Sequence, residues 1–115
     1  MSDIIIISQK ISREKLKEIA EQRFGDLVKG VVDIEKGVVA LGGEMHADEE
    51  AALLENGSDQ KDLWGINIYP DKPQEEWLEF DSMINIRPGA NNRSRFVEDL
   101  LTREKILKII SALTE

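Results

Sequence analysis

The chain contains no cysteine, which excludes a disulfide framework and any thiolate metal site. Only six aromatic residues are present, two Trp, one Tyr and three Phe. They are too sparsely mixed with basic residues to suggest a surface that stacks nucleobases. Apolar runs are short: Ile4–Ile7 falls far below the ~20 residues that span a bilayer, so no membrane segment is expected. No basic segment followed by a longer apolar core stands at the N-terminus, so a secretory signal is not expected and the cytoplasm is the expected location. Positive charge is also scarce. The net charge is −8 and the isoelectric point about 4.7, which makes nucleic acid an unlikely partner, because neutralising phosphates supplies most of that affinity.

What remains is a globular composition, 41% hydrophobic and 33% charged over 115 residues, expected to form one domain spanning residues 1–115. Ile4–Ile7 is β-branched at every position and reads as a strand buried on both faces. A helix is expected from Ser12 to Phe24, with Ser12 as N-cap, Ile11 stapled onto Leu16, Leu16, Ile19, Ala20 and Phe24 as its apolar face, and Gly25 as its stop. Val28–Ile34 and Val38–Leu41 form a hairpin through Glu35-Lys36-Gly37. Both arms are apolar enough to lie inside a sheet. A second helix is expected over Ala47–Asn56, ended by Gly57.

Two further strands follow, Trp64–Pro70 and Trp77–Arg87. In the first, Trp64, Ile66 and Ile68 fall on one side and Gly65, Asn67 and Tyr69 on the other. In the second, Leu78, Phe80, Ile84 and Ile86, with Ser82 between them, alternate with Trp77, Glu79, Asp81, Met83, Asn85 and Arg87. Such alternation puts one face in the core and leaves the other polar. Antiparallel pairing would bring Asn67 near Glu79 and Gly65 near Asp81. Pro88–Asn92 is a loop. A last helix starts near Thr102, stapled by Leu101 and Ile106, with Ile106, Ile109, Ile110 and Leu113 buried. The expected fold class is α+β: a single layer of mostly antiparallel sheet, about five or six strands, packed with about three helices.

Three groups of residues could carry chemistry. Asn67, Tyr69, Glu79, Asp81, Asn85 and Arg87 would share the polar strand face, where two carboxylates at i and i+2 suit acid–base work or a hard cation. The wet face of an ordinary antiparallel sheet looks the same. Glu44, His46 and Asp48 combine the only histidine with carboxylates, the donor set of zinc, manganese or iron; acids in a first helical turn also answer the helix dipole. Arg93-Ser94-Arg95, beside Arg87, could fork onto a carboxylate or phosphate, or pair with acids such as Asp81, Glu98 and Asp99. Glycine-rich phosphate loops, dinucleotide fingerprints, His-Glu-x-x-His pairs and nucleophile elbows are all missing.

Several segments read together as one pattern: Val32-Asp33-Ile34-Glu35-Lys36-Gly37, Gly42–Glu50, Leu63–Pro70, Glu79–Pro88, and Asn92–Arg95 with Val97-Glu98-Asp99. They resemble a family of small prokaryotic proteins, domain of unknown function 5674, over essentially the whole chain. The resemblance implies a free-standing prokaryotic protein and brings no catalytic residues with it.

Two functions follow as expectations. The first is a binding or interaction module that uses Asn67, Tyr69, Asn85, Arg87, Arg93, Ser94 and Arg95 against a small anionic ligand or an acidic protein partner. Seven acids against one lysine between Glu44 and Asp62, facing an arginine-bearing loop, would also allow a homo-oligomer. The second is a small hydrolase or isomerase with His46, Glu79 or Asp81 as acid or base, with or without a metal. That reading requires these groups to lie within about 10 Å of the arginines, the scale of one small-molecule pocket.

Overall fold

The structure, a computed structural model, describes residues 4–114. Its centre is one antiparallel sheet of five strands in the order β1-β3-β2-β4-β5, formed by β1 (Ile5–Ile7), β2 (Val28–Asp33), β3 (Val38–Leu41), β4 (Leu63–Ile68) and β5 (Leu78–Glu79). The β2–β3 hairpin lies inside the sheet, as its apolar arms require. At its tip Asp33 Oδ1 accepts from the backbone N–H groups of Glu35 and Lys36, and Gly37 takes the positive φ that closes the turn.

Three helices clad the sheet: α1 (Arg13–Arg23), α2 (His46–Glu55) and α3 (Leu100–Leu113). Leu16, Ile19 and Ala20 of α1 share a core with Ile106, Ile110 and Leu113 of α3, packed against Val28, Val32, Val39, Leu41, Trp64, Ile66 and Ile68. The opposite face is smaller. There Leu53 of α2 packs on Val31, Ala40 and Leu63. Strand alternation sorts these two sets, and it places Lys29, Gly65 and Asn67 on the α2 face. Ser12 caps α1 by accepting from Lys15 N–H, and Asp99 caps α3 by accepting from Thr102 N–H. Among the described residues no helix is long and apolar enough to cross a membrane.

Several expectations change. Ile4–Ile7 is not a doubly buried strand: β1 is an edge strand that pairs only with β3, and Ile6 is 39% exposed. Phe24 leaves the apolar face of α1 and sits exposed at its C-cap. Leu101 forms no buried staple, because α3 begins at Leu100 and both leucines point to solvent. The largest change concerns Trp77–Arg87. Only Leu78–Glu79 joins the ladder; beyond it Ser82 accepts from Ile84 N–H and caps a 3-10 turn over Met83–Asn85. Trp77 and Asn85, both assigned to the polar face, are buried, and Ile86, assigned to the core, is exposed.

Candidate functional site

The strand stops short because side chains of the loop replace it. Asn85 Oδ1 accepts from Gly65 N–H at 2.8 Å and its Nδ2 donates to Gly65 O at 3.0 Å, so one carboxamide takes the place of a neighbouring strand. The same Nδ2 also donates to Arg95 O. Asn92 does similar work one layer out. Its Nδ2 donates to the carbonyls of Asn85, Ser94 and Phe96, and its Oδ1 accepts from Glu98 N–H. These bonds satisfy backbone groups that a longer ladder would have paired.

Gly65 lets this loop lie close. A Cβ there would stand 2.5 Å from Ser82 Cβ and 3.2 Å from His46 Cδ2. The glycine therefore makes room for a serine on one side and an imidazole on the other, above the strand's polar face. His46, the first residue of α2, is 9% exposed and its Nε2 lies 2.8 Å from Ile66 O. A carbonyl can only accept, so Nε2 carries the proton. Nδ1 then holds the lone pair. Burial pushes the His46 pKa down, and the Lys29 charge adds to that shift. Both favour the neutral ring.

The expected pairing across β4 and β5 is present: Asn67 stands opposite Glu79. Asn67 Nδ2 donates to Glu79 Oε1 at 2.8 Å and to Asp81 O at 3.2 Å, which fixes the amide orientation. Tyr69 Oη donates to the same Glu79 oxygen at 3.0 Å. Asp81 is held in turn by Arg95, with Nε 2.7 Å from Oδ1.

These residues meet in a cleft of about 340 Å³, walled by Leu27, Met45, Met83 and Ile84 and carrying Lys29, His46, Asn67, Tyr69, Glu79, Asp81, Ser82 and Arg95. The remaining candidates lie elsewhere. Asn85 is fully buried beneath the loop. Arg87 stacks over Trp64 at 4.8 Å, lies 3.8 Å from Glu50 and donates to Leu63 O. Arg93 and Ser94 wrap around Glu98, whose Oε2 accepts both backbone N–H groups and the Ser94 hydroxyl. Glu44 and Asp48 line a different cleft, of about 420 Å³, beside Arg23, Ala51 and Glu55. The trio Glu44, His46 and Asp48 is thus divided between two clefts. Among the described residues no three His, Asp or Glu side chains are grouped to hold a metal ion.

Residues 5–113 match the family described as Protein of unknown function (DUF5674). The chain belongs to that family. No curated protein and no solved structure matches it. For this DUF5674 member the site must therefore be argued from its own geometry, and two features escaped the sequence reading. Lys29 is the one charged residue within the strand Val28–Asp33 apart from its terminal Asp33, a signal that was available. Met45 and Met83 come together only through the fold.

A second buried titratable group lies on α2. Glu49, one turn along α2 from His46, is fully buried, and its Oε2 accepts from Gly43 N–H at 3.0 Å. Desolvation pushes its pKa up to about 9, so the side chain is a neutral carboxylic acid at pH 7.

Proposed function

We propose that this protein binds a small anionic molecule in the cleft between α2, β4 and the Ser82–Arg95 loop. One observation carries the reading. Each charged side chain of the cleft is committed to a partner except Lys29. Glu79 is held by Asn67 and Tyr69, and Asp81 and Arg95 hold each other. Among the described residues Lys29 has no carboxylate within ion-pair distance; its ammonium lies 5.0 Å from the centroid of the exposed Phe24 ring. A cation without a carboxylate partner at the wall of a concave, half-apolar cleft supports an anion site. The arginine loop contributes less than its sequence suggests, because of Arg93, Ser94 and Arg95 only Arg95 lines the cleft.

The test is calorimetric titration with inorganic phosphate and simple carboxylates, comparing the natural protein with Lys29→Met. Binding that the variant loses by tenfold or more supports the reading. If no anion binds, or if Lys29→Met binds as well, the reading is wrong.

His46 favours a second reading, a small hydrolase or isomerase in this same cleft. A neutral imidazole with its Nε2 proton anchored on Ile66 O offers Nδ1 as a general base. Asp81 and Arg95, 2.7 Å apart, line the same cleft as His46 and support this reading. Turnover of a bound ester or carbonyl compound that His46→Gln abolishes while binding survives would establish this reading; binding without turnover would leave the cleft a receptor.

A further inference from the structure

The anion reading, on which this inference rests, leaves open what the rest of the ligand looks like. The cleft answers by what it leaves unpaired. Its polar floor is largely self-satisfied. Asn67 Nδ2, Tyr69 Oη, Glu79, Asp81 and Arg95 bond to one another, and Asn67 Oδ1 has no hydrogen-bond partner but is sealed from solvent. A ligand would have to break bonds to read most of these groups. The apolar wall is different. Met45 is 57% exposed and Met83 65% exposed, one at the start of α2 and the other on the 3-10 turn after Ser82, and both line the cleft with Leu27 and Ile84.

Two solvent-exposed methionines lining one cleft are an unusual use of apolar surface. Unbranched and polarizable, methionine side chains fold around apolar groups of varied shape, which is why they recur at binding surfaces. The volume, about 340 Å³, is at the small end of ligand pockets.

We infer that the ligand is a small amphipathic carboxylate: one acid group set against Lys29, and a short branched or aromatic hydrocarbon part held between Met45 and Met83. The cation accounts for the charge of the ligand and the methionine rims for its apolar body, with the hydrogen-bonded floor left intact.

The test uses the 115-residue protein and a series of growing carboxylates, acetate, butanoate and 4-methylpentanoate, with 4-methylpentan-1-ol and inorganic phosphate as controls, followed by NMR titration. Affinity should rise about fourfold for each methylene or methyl group buried, the ratio expected for transfer of one such group from water. The alcohol should bind at least tenfold more weakly than the acid of the same skeleton. Met83→Ser should flatten the chain-length series, and since Met83 is exposed the variant should fold. Lys29→Met should abolish the preference for acid over alcohol. If phosphate or acetate binds as tightly as 4-methylpentanoate, the inference fails and the anion reading stands. If the series rises with chain length but acid and alcohol bind alike, the cleft is purely apolar and both fail. If none of the anions binds, both also fail.

Discussion

Asn67 and Glu79 face each other across β4 and β5, joined by a 2.8 Å hydrogen bond from the amide nitrogen to Oε1. β5 is two residues long, so this bond and the neighbouring one from Tyr69 hold a larger share of its position than side chains in a long ladder would. Hydrogen bonds to a charged acceptor contribute about 1.5–3 kcal/mol each. Asn67→Leu is expected to lower stability to urea by about that amount, and Tyr69→Phe by less, because Tyr69 is partly exposed. A loss below about 0.5 kcal/mol for Asn67→Leu would mean that the pair is a solvated surface contact.

Gly65 supports a sharper prediction. Alanine at this position would place its Cβ 2.5 Å from Ser82 Cβ, so the loop must move, at a cost of roughly 1–3 kcal/mol for overpacking. Ser82→Gly removes the clashing atoms and also the cap on the 3-10 turn. The double variant should therefore be more stable than the sum of the two single losses allows, by at least 0.5 kcal/mol. Strict additivity in urea unfolding would show that the two residues do not touch.

Glu49 sets a dependence on pH. Its folded pKa, about 9, lies above the ordinary value of 4.5, so between these values the folded protein holds a proton that the unfolded chain has lost. Stability must then fall as pH rises through that window, by up to ~1.4 kcal/mol per unit. Glu49→Gln cannot ionise and keeps an acceptor for Gly43 N–H. It is expected to be more stable than the natural protein at pH 7, by on the order of 1–3 kcal/mol, with the gap closing toward pH 4.5. An unchanged gap across that range would place an ionised carboxylate in the core.

His46 acts in the opposite direction. Its folded pKa lies below 6.5, so the unfolded chain takes up a proton first as pH falls. The associated stability is complete above about pH 6.5 and is lost on acidification. His46→Gln should remove that part of the acid dependence. A variant with the same acid limb as the natural protein would show that the imidazole titrates freely.

Much of the fold was legible because its signals are local. Ser12, Gly25, the apolar hairpin arms and the stripe Ile106, Ile109, Ile110 and Leu113 each follow from neighbours in the chain. The facing of Asn67 with Glu79 was also readable, since alternation in two adjacent strands leaves few registers. The illegible part begins at Ser82. There Asn85 and Asn92 use their carboxamides as substitutes for backbone, bonding to Gly65 and to the 94–96 carbonyls. An asparagine that imitates a strand looks, in sequence, like one that faces solvent. For the same reason Arg87 and Ser94 looked like ligand-binding groups, whereas their partners, Glu50 and Glu98, are set by the fold. Lys29 was overlooked because its strand neighbours are apolar.

Ligand binding at the Lys29 cleft can be read out by residue-by-residue chemical-shift mapping during titration with a small carboxylate. The backbone signals of Lys29, Met45, His46, Asn67, Met83 and Arg95 are expected to move together along one saturation curve, and Lys29→Met to remove the response. Shifts confined to Arg87, Arg93 and Ser94, or no saturable shifts at all, would contradict it.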